Sequence, residues 1–222
     1  MAVGAVIVAA GRSERMGGTD KLLQPLGGRP LIGHSIAVFA THSAIDRLVV
    51  VVSEMNRPEI EAIVSELAPR ATVVLGGKRR RDSVRNGLEA LEGCDYVLIH
   101  DGARPLVTPA LIDAALEGAR TAGAALCAVP ITDTIKRAAA DMRVRGTISR
   151  ENLWRAQTPQ AFRRDLLLHA HAASDVDATD DAALVELIDE PVLLVPGSIR
   201  NVKVTLPEDL RLAAAWLIAG ES

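Results

Sequence analysis

Five short apolar runs rich in β-branched residues, Val3 to Ala9, Leu48 to Val52, Thr72 to Leu75, Tyr96 to His100 and Ala124 to Val129, recur through the first 130 residues with helical patterns between them. The runs are almost continuously apolar, which is how a strand reads when both of its faces are covered. Between the second and third, Ile60, Ile63, Val64 and Leu67 fall at i, i+3, i+4 and i+7, a one-sided stripe on a helix that Pro58 can start. Similar stripes follow Pro30 (Ile32, Ile36, Phe39), Ser83 (Val84, Leu88, Leu91) and the Thr108–Pro109 pair, where Leu111 to Ala119 continue the pattern. This succession predicts an α/β fold of Rossmann-like type: a single domain of three layers, built on a mostly parallel sheet.

Beyond residue 130 the rhythm changes. Thr134 to Arg150 reads as a polar, β-like excursion, and we expect a protruding β-hairpin arm at about residues 132–153. The chain then returns through Trp154 to Pro159 to a helix near Phe162 to His171 and a second helix capped by Thr179, with Leu184, Leu187 and Ile188 on one face. Strands are expected at Val192 to Val195 and Val202 to Val204. Pro207 opens a last helix that turns Leu210, Ala213, Ala214 and Leu217 inward.

Composition narrows the classes of function. A chain of 222 residues that is 49% hydrophobic and 24% charged can bury one sizeable core. Its formal charge of −3 favours neither a nucleic-acid coat nor a membrane surface, and 2% aromatics supply no stacking platform for single strands. Two cysteines, Cys94 and Cys127, are too few for a disulfide framework and point to a reducing cytoplasm. The N-terminus lacks the pattern of a signal peptide, and no apolar run reaches the roughly 18 to 20 residues that span a bilayer. An anionic ligand must therefore be attracted locally.

The segment that can do so follows the first strand. Ala9, Ala10 and Gly11 carry almost no side chain, so a polyphosphate can approach their backbone N–H groups, while Arg12, Arg15 and Lys21 follow with positive charge. Gly11, Gly17 and Gly18 match neither the dinucleotide fingerprint nor the P-loop. In open α/β sheets ligands sit beyond the carboxyl ends of the strands, where Gly76 to Ser83, His100 to Pro105, Val129 to Lys136 and Asn201 to Thr205 can join the loop. A triphosphate brings about four negative charges, which cations and Mg²⁺ must offset, and a phosphate-monoester acceptor with a second pKa near 6 needs no protein base.

In order along the chain, the loop with Arg15, Met16 and Lys21, then Gly76-Gly77 with Asp82-Ser83-Val84, His100-Asp101-Gly102-Ala103-Arg104-Pro105, Asp133-Thr134-Ile135-Lys136, Leu153-Trp154, Thr158-Pro159-Gln160, Thr179-Asp180-Asp181-Ala182 and Asn201-Val202-Lys203-Val204-Thr205 resemble the 2-C-methyl-D-erythritol 4-phosphate cytidylyltransferase family. The resemblance covers essentially the whole chain, residues 1–222, and implies a nucleotidyltransferase fold. It implies Mg²⁺-dependent transfer of CMP from CTP to methylerythritol phosphate, with the metal held mainly by the CTP phosphates. Arg15 and Lys21 would stabilise the pentavalent α-phosphate, and Arg150 and Lys203 would hold the acceptor. Ala9, Ala10, Gly11, Gly77, Ser83, Asp101 and Gly102 would bind the nucleotide, and Asp101, Arg104, Thr134, Thr158 and Thr179 would complete the acceptor site. The arm would join two subunits in a homodimer, placing Arg150 in the partner's site. Two positions depart from the family's pattern: Asp20 stands where proline is usual, and Lys78 where an acidic residue commonly follows the paired glycines. A sister activity on ribitol phosphate or another alditol phosphate, and a non-catalytic nucleotide sensor, are the competing readings.

Other features have plainer readings. Lys78 to Arg81 reads as a solvated turn, and Asp82 and Ser83 as the start of a helix. His100 reads as a structural residue at a strand end. Asp175 to Glu186 imitates a calcium loop but carries Asp180 where the glycine belongs, and His169 and His171, two apart on a helix, face different ways.

Overall fold

The structure, a computed structural model, describes residues 1–11 and 20–220. Its strands in chain order are β1 (Val3–Ala9), β2 (Pro25–Leu26), β3 (Arg29–Pro30), β4 (Arg47–Val52), β5 (Thr72–Leu75) and β6 (Tyr96–Asp101). They continue as β7 (Ala124–Pro130), β8 (Ile135–Ala138), β9 (Val144–Ile148), β10 (Trp154–Arg163) and β11 (Leu193–Pro196). The helices are α1 (Leu31–Thr41), α2 (Arg57–Leu67), α3 (Arg80–Glu89), α4 (Pro109–Ala122), α5 (Arg164–Ala173), α6 (Asp181–Glu186) and α7 (Pro207–Gly220).

Seven strands form one sheet in the order β11-β7-β10-β6-β1-β4-β5, parallel except for β10, which runs antiparallel between β6 and β7. Side-chain alternation divides each strand between two cores. Ala5, Ile7, Val50 and Leu98 meet Ile36 and Phe39 of α1, Ile60 of α2, Ala115 of α4 and Ala213 of α7 on one face. Val6, Val51 and Ile99 meet Val84 and Leu88 of α3, Leu167 of α5 and Leu184 of α6 on the other. The expected three layers and mostly parallel sheet are what the chain forms, with helices on both faces. Gly87 allows α3 to approach closely, since a Cβ there would stand 2.6 Å from Val6 Cγ1.

The hairpin expected in the excursion is present: β8 pairs antiparallel with β9, and most of its residues are exposed. No helix among the described residues is long and apolar enough to cross a membrane.

Five details correct the sequence reading. Trp154 to Pro159 is part of β10, and the following helix starts at Arg164 rather than near Phe162. The polar Gln157-Thr158-Pro159-Gln160 stretch hides this strand because its side chains serve a polar cleft, and its pairing with β7 breaks between Ala156 and Gln160. Residues 202–204 form no strand; Asn201 and a single ladder-like bond, Val204 N–H to Ala103 O at 2.8 Å, hold them instead. Asp180, not Thr179, caps α6, its carboxylate accepting from Ala183 N at 3.0 Å, and the helix ends at Glu186, which leaves Leu187 53% exposed.

Phe162 is fully buried on β10 between α5, α6 and the sheet. Phe162→Ala is expected to lower the unfolding free energy by about 3–5 kcal/mol. Chemical denaturation checks this; a loss under about 1 kcal/mol would mean that the site collapses without a cavity.

Candidate active site

β1 sits between β4 and β6, and the chain crosses from one side of it to the other after β5. At that switch the helices on opposite faces diverge and leave a crevice beyond the strand ends. Ala10 and Gly11 after β1, Gly76 and Gly77 after β5, and Gly102 after β6 stand at those ends.

After β5, a Cβ on Gly76 would collide with Ala10 and one on Gly77 with Asp82, so the paired glycines let this segment lie against both Ala10 and α3. Gly77 N–H donates to Ser83 Oγ at 3.1 Å, and Ser83 Oγ donates to Arg79 O at 3.2 Å. Ala10, Gly77 and Ser83 are thereby adjacent. Gly11 is exposed, and among the described residues no atom lies within 4 Å of the position of a Cβ. Gly102 N–H donates to Val8 O at 3.0 Å, which fixes the turn after β6 beside β1. Arg15, like Arg12, lies outside the described residues.

The two ends of the first loop are tied to one side chain. Asn56, 3% exposed, donates from Nδ2 to Ala9 O at 3.0 Å and to Asp20 Oδ2 at 2.7 Å, while its Oδ1 accepts from Ser53 N and Oγ, each at 2.9 Å. The other Asp20 oxygen accepts from Leu22 N at 3.0 Å and caps the 3₁₀ turn Lys21–Leu23. Asp20 therefore sets the backbone from which Lys21 departs.

Beyond the ends of β6 and β10 lies a cleft of about 230 Å³ lined by Arg80, Asp101, Arg104, Ala156, Gln157, Thr158, Gln160, Thr179, Asp180 and Lys203. Asp101, Arg104, Thr158, Thr179 and Lys203 were expected here and are brought together. Thr134 and Arg150 are not among its lining residues: both are exposed at the base of the arm, where Arg150 donates from Nη1 to Thr132 O. Lys203 Nζ lies 2.9 Å from Asp101 Oδ2. Arg104 donates to Asn201 O at 2.7 Å, and its Nε stands 3.8 Å from the same Asp101 oxygen. Burial would raise the Asp101 pKa, but Arg80 first, then Lys203 and Arg104, outweigh it and hold the carboxyl well below the usual range.

Gln157 and Asn201 hold the C-terminal segment over the cleft. Gln157 donates to Ser198 O at 2.8 Å and accepts from Ser198 N at 3.2 Å, while Asn201 Nδ2 donates to Thr158 O at 2.8 Å. Lys203 is delivered to Asp101 by this pairing rather than by a strand.

The basic run was read as a solvated turn, and the structure overturns that reading. Arg79, Arg80 and Arg81 stand at the start of α3, so successive side chains leave it about 100° apart and reach three different places. Arg79 pairs with Asp82 and Asp175, each within 2.9 Å. Arg80 enters the cleft, 2.7 Å from Asp181 and 3.4 Å from Asp101. Arg81 is 6% exposed and donates to Val176 O and His171 O at 2.8 and 2.9 Å. Behind Arg80, His171 Nε2 stands 3.6 Å from Asp181 Oδ1, beyond hydrogen-bond reach. Gln157, which the sequence reading did not name, and Gln160 and Asp180, named there only within motifs and given no site role, also line the cleft. The one sequence signal for Arg80 was its place after the paired glycines and before a helical stripe; nothing local announced its distant partners.

His100 links the parts. Asp101 N–H donates to Thr158 Oγ1 at 3.0 Å, and Thr158 Oγ1 lies 3.1 Å from His100 Nδ1. His100 Nε2 lies 3.2 Å from Arg104 O, which can only accept, so Nε2 carries the proton and Nδ1 accepts from the threonine hydroxyl. Burial lowers the His100 pKa to about 4, and the ring is neutral.

Among the described residues no group of three His, Cys, Asp or Glu could hold a metal ion, and both Asp101 oxygens already face cations.

Residues 3–219 match the family described as 2-C-methyl-D-erythritol 4-phosphate cytidylyltransferase. A protein of that name from Dehalococcoides mccartyi is 45% identical over 220 residues, which cover 98% of this chain and 97% of that one. The crystal structure of 2-C-methyl-D-erythritol 4-phosphate cytidylyltransferase from Thermus thermophilus superposes with a TM-score of 0.83 at 35% identity, covering 97% of this chain and 98% of that chain. That of 4-diphosphocytidyl-2C-methyl-D-erythritol synthase from Anaerococcus prevotii gives 0.86 at 31% identity, covering 98% of each.

The neutral His100 gives stability a defined pH dependence. Its folded pKa of about 4 lies below the ordinary histidine value of 6.5, so below pH 6.5 the unfolded chain binds the extra proton and stability falls as the pH falls, until the folded pKa is reached. Across that window wild-type unfolding free energy is expected to drop more steeply than that of His100→Gln, by up to about 1.4 kcal/mol per pH unit. Parallel curves in denaturant titrations would show that the ring is not buried neutral.

Proposed function

The chain belongs to the 2-C-methyl-D-erythritol 4-phosphate cytidylyltransferase family, and we propose how its residues carry the transfer of CMP from CTP to 2-C-methyl-D-erythritol 4-phosphate with release of pyrophosphate. The observation that carries the assignment of roles is the cleft in which Asp101, Arg104, Thr158, Thr179 and Lys203 converge beside Ala9, Ala10 and the Gly77–Ser83 turn. A small-residue loop and a cation-lined cleft adjoin, as attack of one phosphate on another requires.

In this reading Ala9, Ala10, Gly11, Gly77, Ser83, Asp101 and Gly102 bind the nucleotide, their small side chains and N–H groups leaving room for it. Lys21 and Arg15 stabilise the charge that gathers on the α-phosphate as the acceptor oxygen attacks in line. Lys203 and Arg150 hold the acceptor's phosphate, with Asp101, Arg104, Thr134, Thr158 and Thr179 around its hydroxyls and chain. The acceptor phosphate is largely ionised near neutral pH and is itself the nucleophile, so no residue need take a proton. Orientation and charge supply the rate.

Mg²⁺ belongs to this reading as an ion carried on the triphosphate oxygens, where it neutralises charge; such binding needs few protein ligands. We place the enzyme in the cytoplasm, which suits two free, buried cysteines. The whole chain acts as one nucleotidyltransferase domain. In this reading the arm at about residues 132–153 joins a second subunit and brings Arg150 and Thr134 to the partner's cleft, so the working form is a homodimer with shared sites. The exposed Met142 and Val144 on the arm, 83% and 62% accessible, support that role.

Purified protein with CTP and Mg²⁺ is expected to release pyrophosphate when methylerythritol phosphate is added and not with ribitol phosphate; the opposite preference would reassign the acceptor. Lys21→Ala should lower kcat by about 100-fold or more while leaving the KM for the acceptor nearly unchanged, and an unchanged kcat would remove Lys21 from the chemistry. For the shared site, heterodimers of Arg150→Ala and Lys21→Ala subunits should recover activity that neither homodimer has. Confirmed heterodimers without recovery would place each site within one subunit.

A further inference from the structure

Asp101 meets its cations with separate oxygens. Oδ2 faces Lys203 Nζ at 2.9 Å and Arg104 Nε at 3.8 Å, whereas Oδ1 faces Nε and Nη2 of Arg80, each at 3.4 Å. These three cations differ in their freedom. Arg104 is tied to the carbonyl of Asn201 and Lys203 has a side chain 43% exposed, while Arg80 is gripped from behind by Asp181, 2.7 Å from Nη1 and itself fully buried.

If Lys203 takes the acceptor's phosphate, as the reading above requires, it must loosen its hold on Asp101 Oδ2. A buried carboxylate that loses its nearest cation tends to take up a proton or to turn away. Arg80 meets the other oxygen and, anchored on α3 with Asp181 at its back, need not move in the exchange. From this geometry we infer that Arg80 is a positioning residue, which keeps the Asp101 carboxylate in place while Lys203 passes from Asp101 to the phosphate of the incoming acceptor. The role rests on the proposed acceptor site. A bridge that merely tied α3 to α6 would be complete with Asp181; the contact to Asp101 and the exposure of Arg80 to the cleft go beyond it.

The test is a double-mutant cycle in steady-state kinetics with CTP, methylerythritol phosphate and Mg²⁺. Arg80→Gln is expected to raise the acceptor KM about tenfold or more, as loss of a charged contact does, and the CTP KM by a smaller factor, since Asp101 also faces the nucleotide in that reading. Arg80→Lys, which keeps the charge, should recover part of that loss. In an Asp101→Asn background, Arg80→Gln should add less than about twofold, because the residue it positions is gone. Equal losses in both backgrounds, a loss confined to the CTP KM, or a fall in melting temperature with unaltered kinetics would each overturn the role. Should Arg80→Gln leave Asp181 stranded and the chain unfolded, the same cycle run in an Asp181→Asn parent decides the question by the same criteria. Wild-type protein silent with both substrates would overturn the function and this role together; full wild-type turnover with multiplying losses would overturn this role alone.

Discussion

A carboxylate buried at the floor of the cleft sets the terms for everything around it. Asp101 is 9% exposed, and an ion so placed is tolerable only if opposite charge stands close. Its partners come from residue 80 on α3, residue 104 after β6 and residue 203 near the C-terminus, so the requirement to neutralise one group gathers segments from across the chain. Asp181 extends the demand to α6, because Arg80 is shared between the two acids. Buried ion pairs contribute little net stability compared with apolar packing of equal volume. Their concentration at the cleft, while the rest of the core is aliphatic, fits a surface for recognising charge better than a device for holding the fold.

Neutral hydrogen bonds do the finer positioning. Thr158 connects the backbone of Asp101 to His100, and His100 connects onward to the carbonyl of Arg104, so the turn that carries both charged residues is braced by a single uncharged chain. Gln157 and Asn201 perform the same service for Lys203. Asn56 does so for the ends of the first loop, using both its donors and its acceptor oxygen. Each of these amides is almost fully buried, with all the cost that an unpaired polar group there would carry.

Periodicity revealed the parallel strands and the helices that cover them, because each apolar stripe answers to a single nearby surface: Ile60 and Val64, or Leu210 and Ala213, need only a sheet to lie against. Where burial is governed by polar partners the pattern fails. β10 carries Gln157, Thr158 and Gln160 in the middle of the sheet, and their hydrogen bonds substitute for the apolar signal that would have marked a strand. The same limit applies to the site. Asp101, Arg104 and Lys203 stand in motifs readable by order, whereas Arg80 lay hidden in a basic run because its meaning depends on Asp101 and Asp181, 21 and 101 residues away. Asp180 displaced Thr179 as the cap of α6 for a nearer reason: both residue types cap well, and only the backbone geometry chooses between them.

The antiparallel position of β10 also bears on the order in which the molecule can be completed. β6 and β7 are separated in the sheet by a strand that the chain reaches only at residues 154–163, after the whole of the arm. A nascent chain that has emerged as far as residue 150 holds β1, β4, β5 and β6 as one contiguous half, with β7 unable to join them across an empty place about 4.8 Å wide on either side. Joining β10, β7 and β11 to the rest of the sheet is thus a late event with long loops to close, slow by the entropy of those closures. Until β10 arrives, the edges of β6 and β7 present unpaired N–H and C=O groups. The cleft beside Asp101 therefore lacks its β10 wall, Ala156 to Gln160, until nearly three-quarters of the chain has been made.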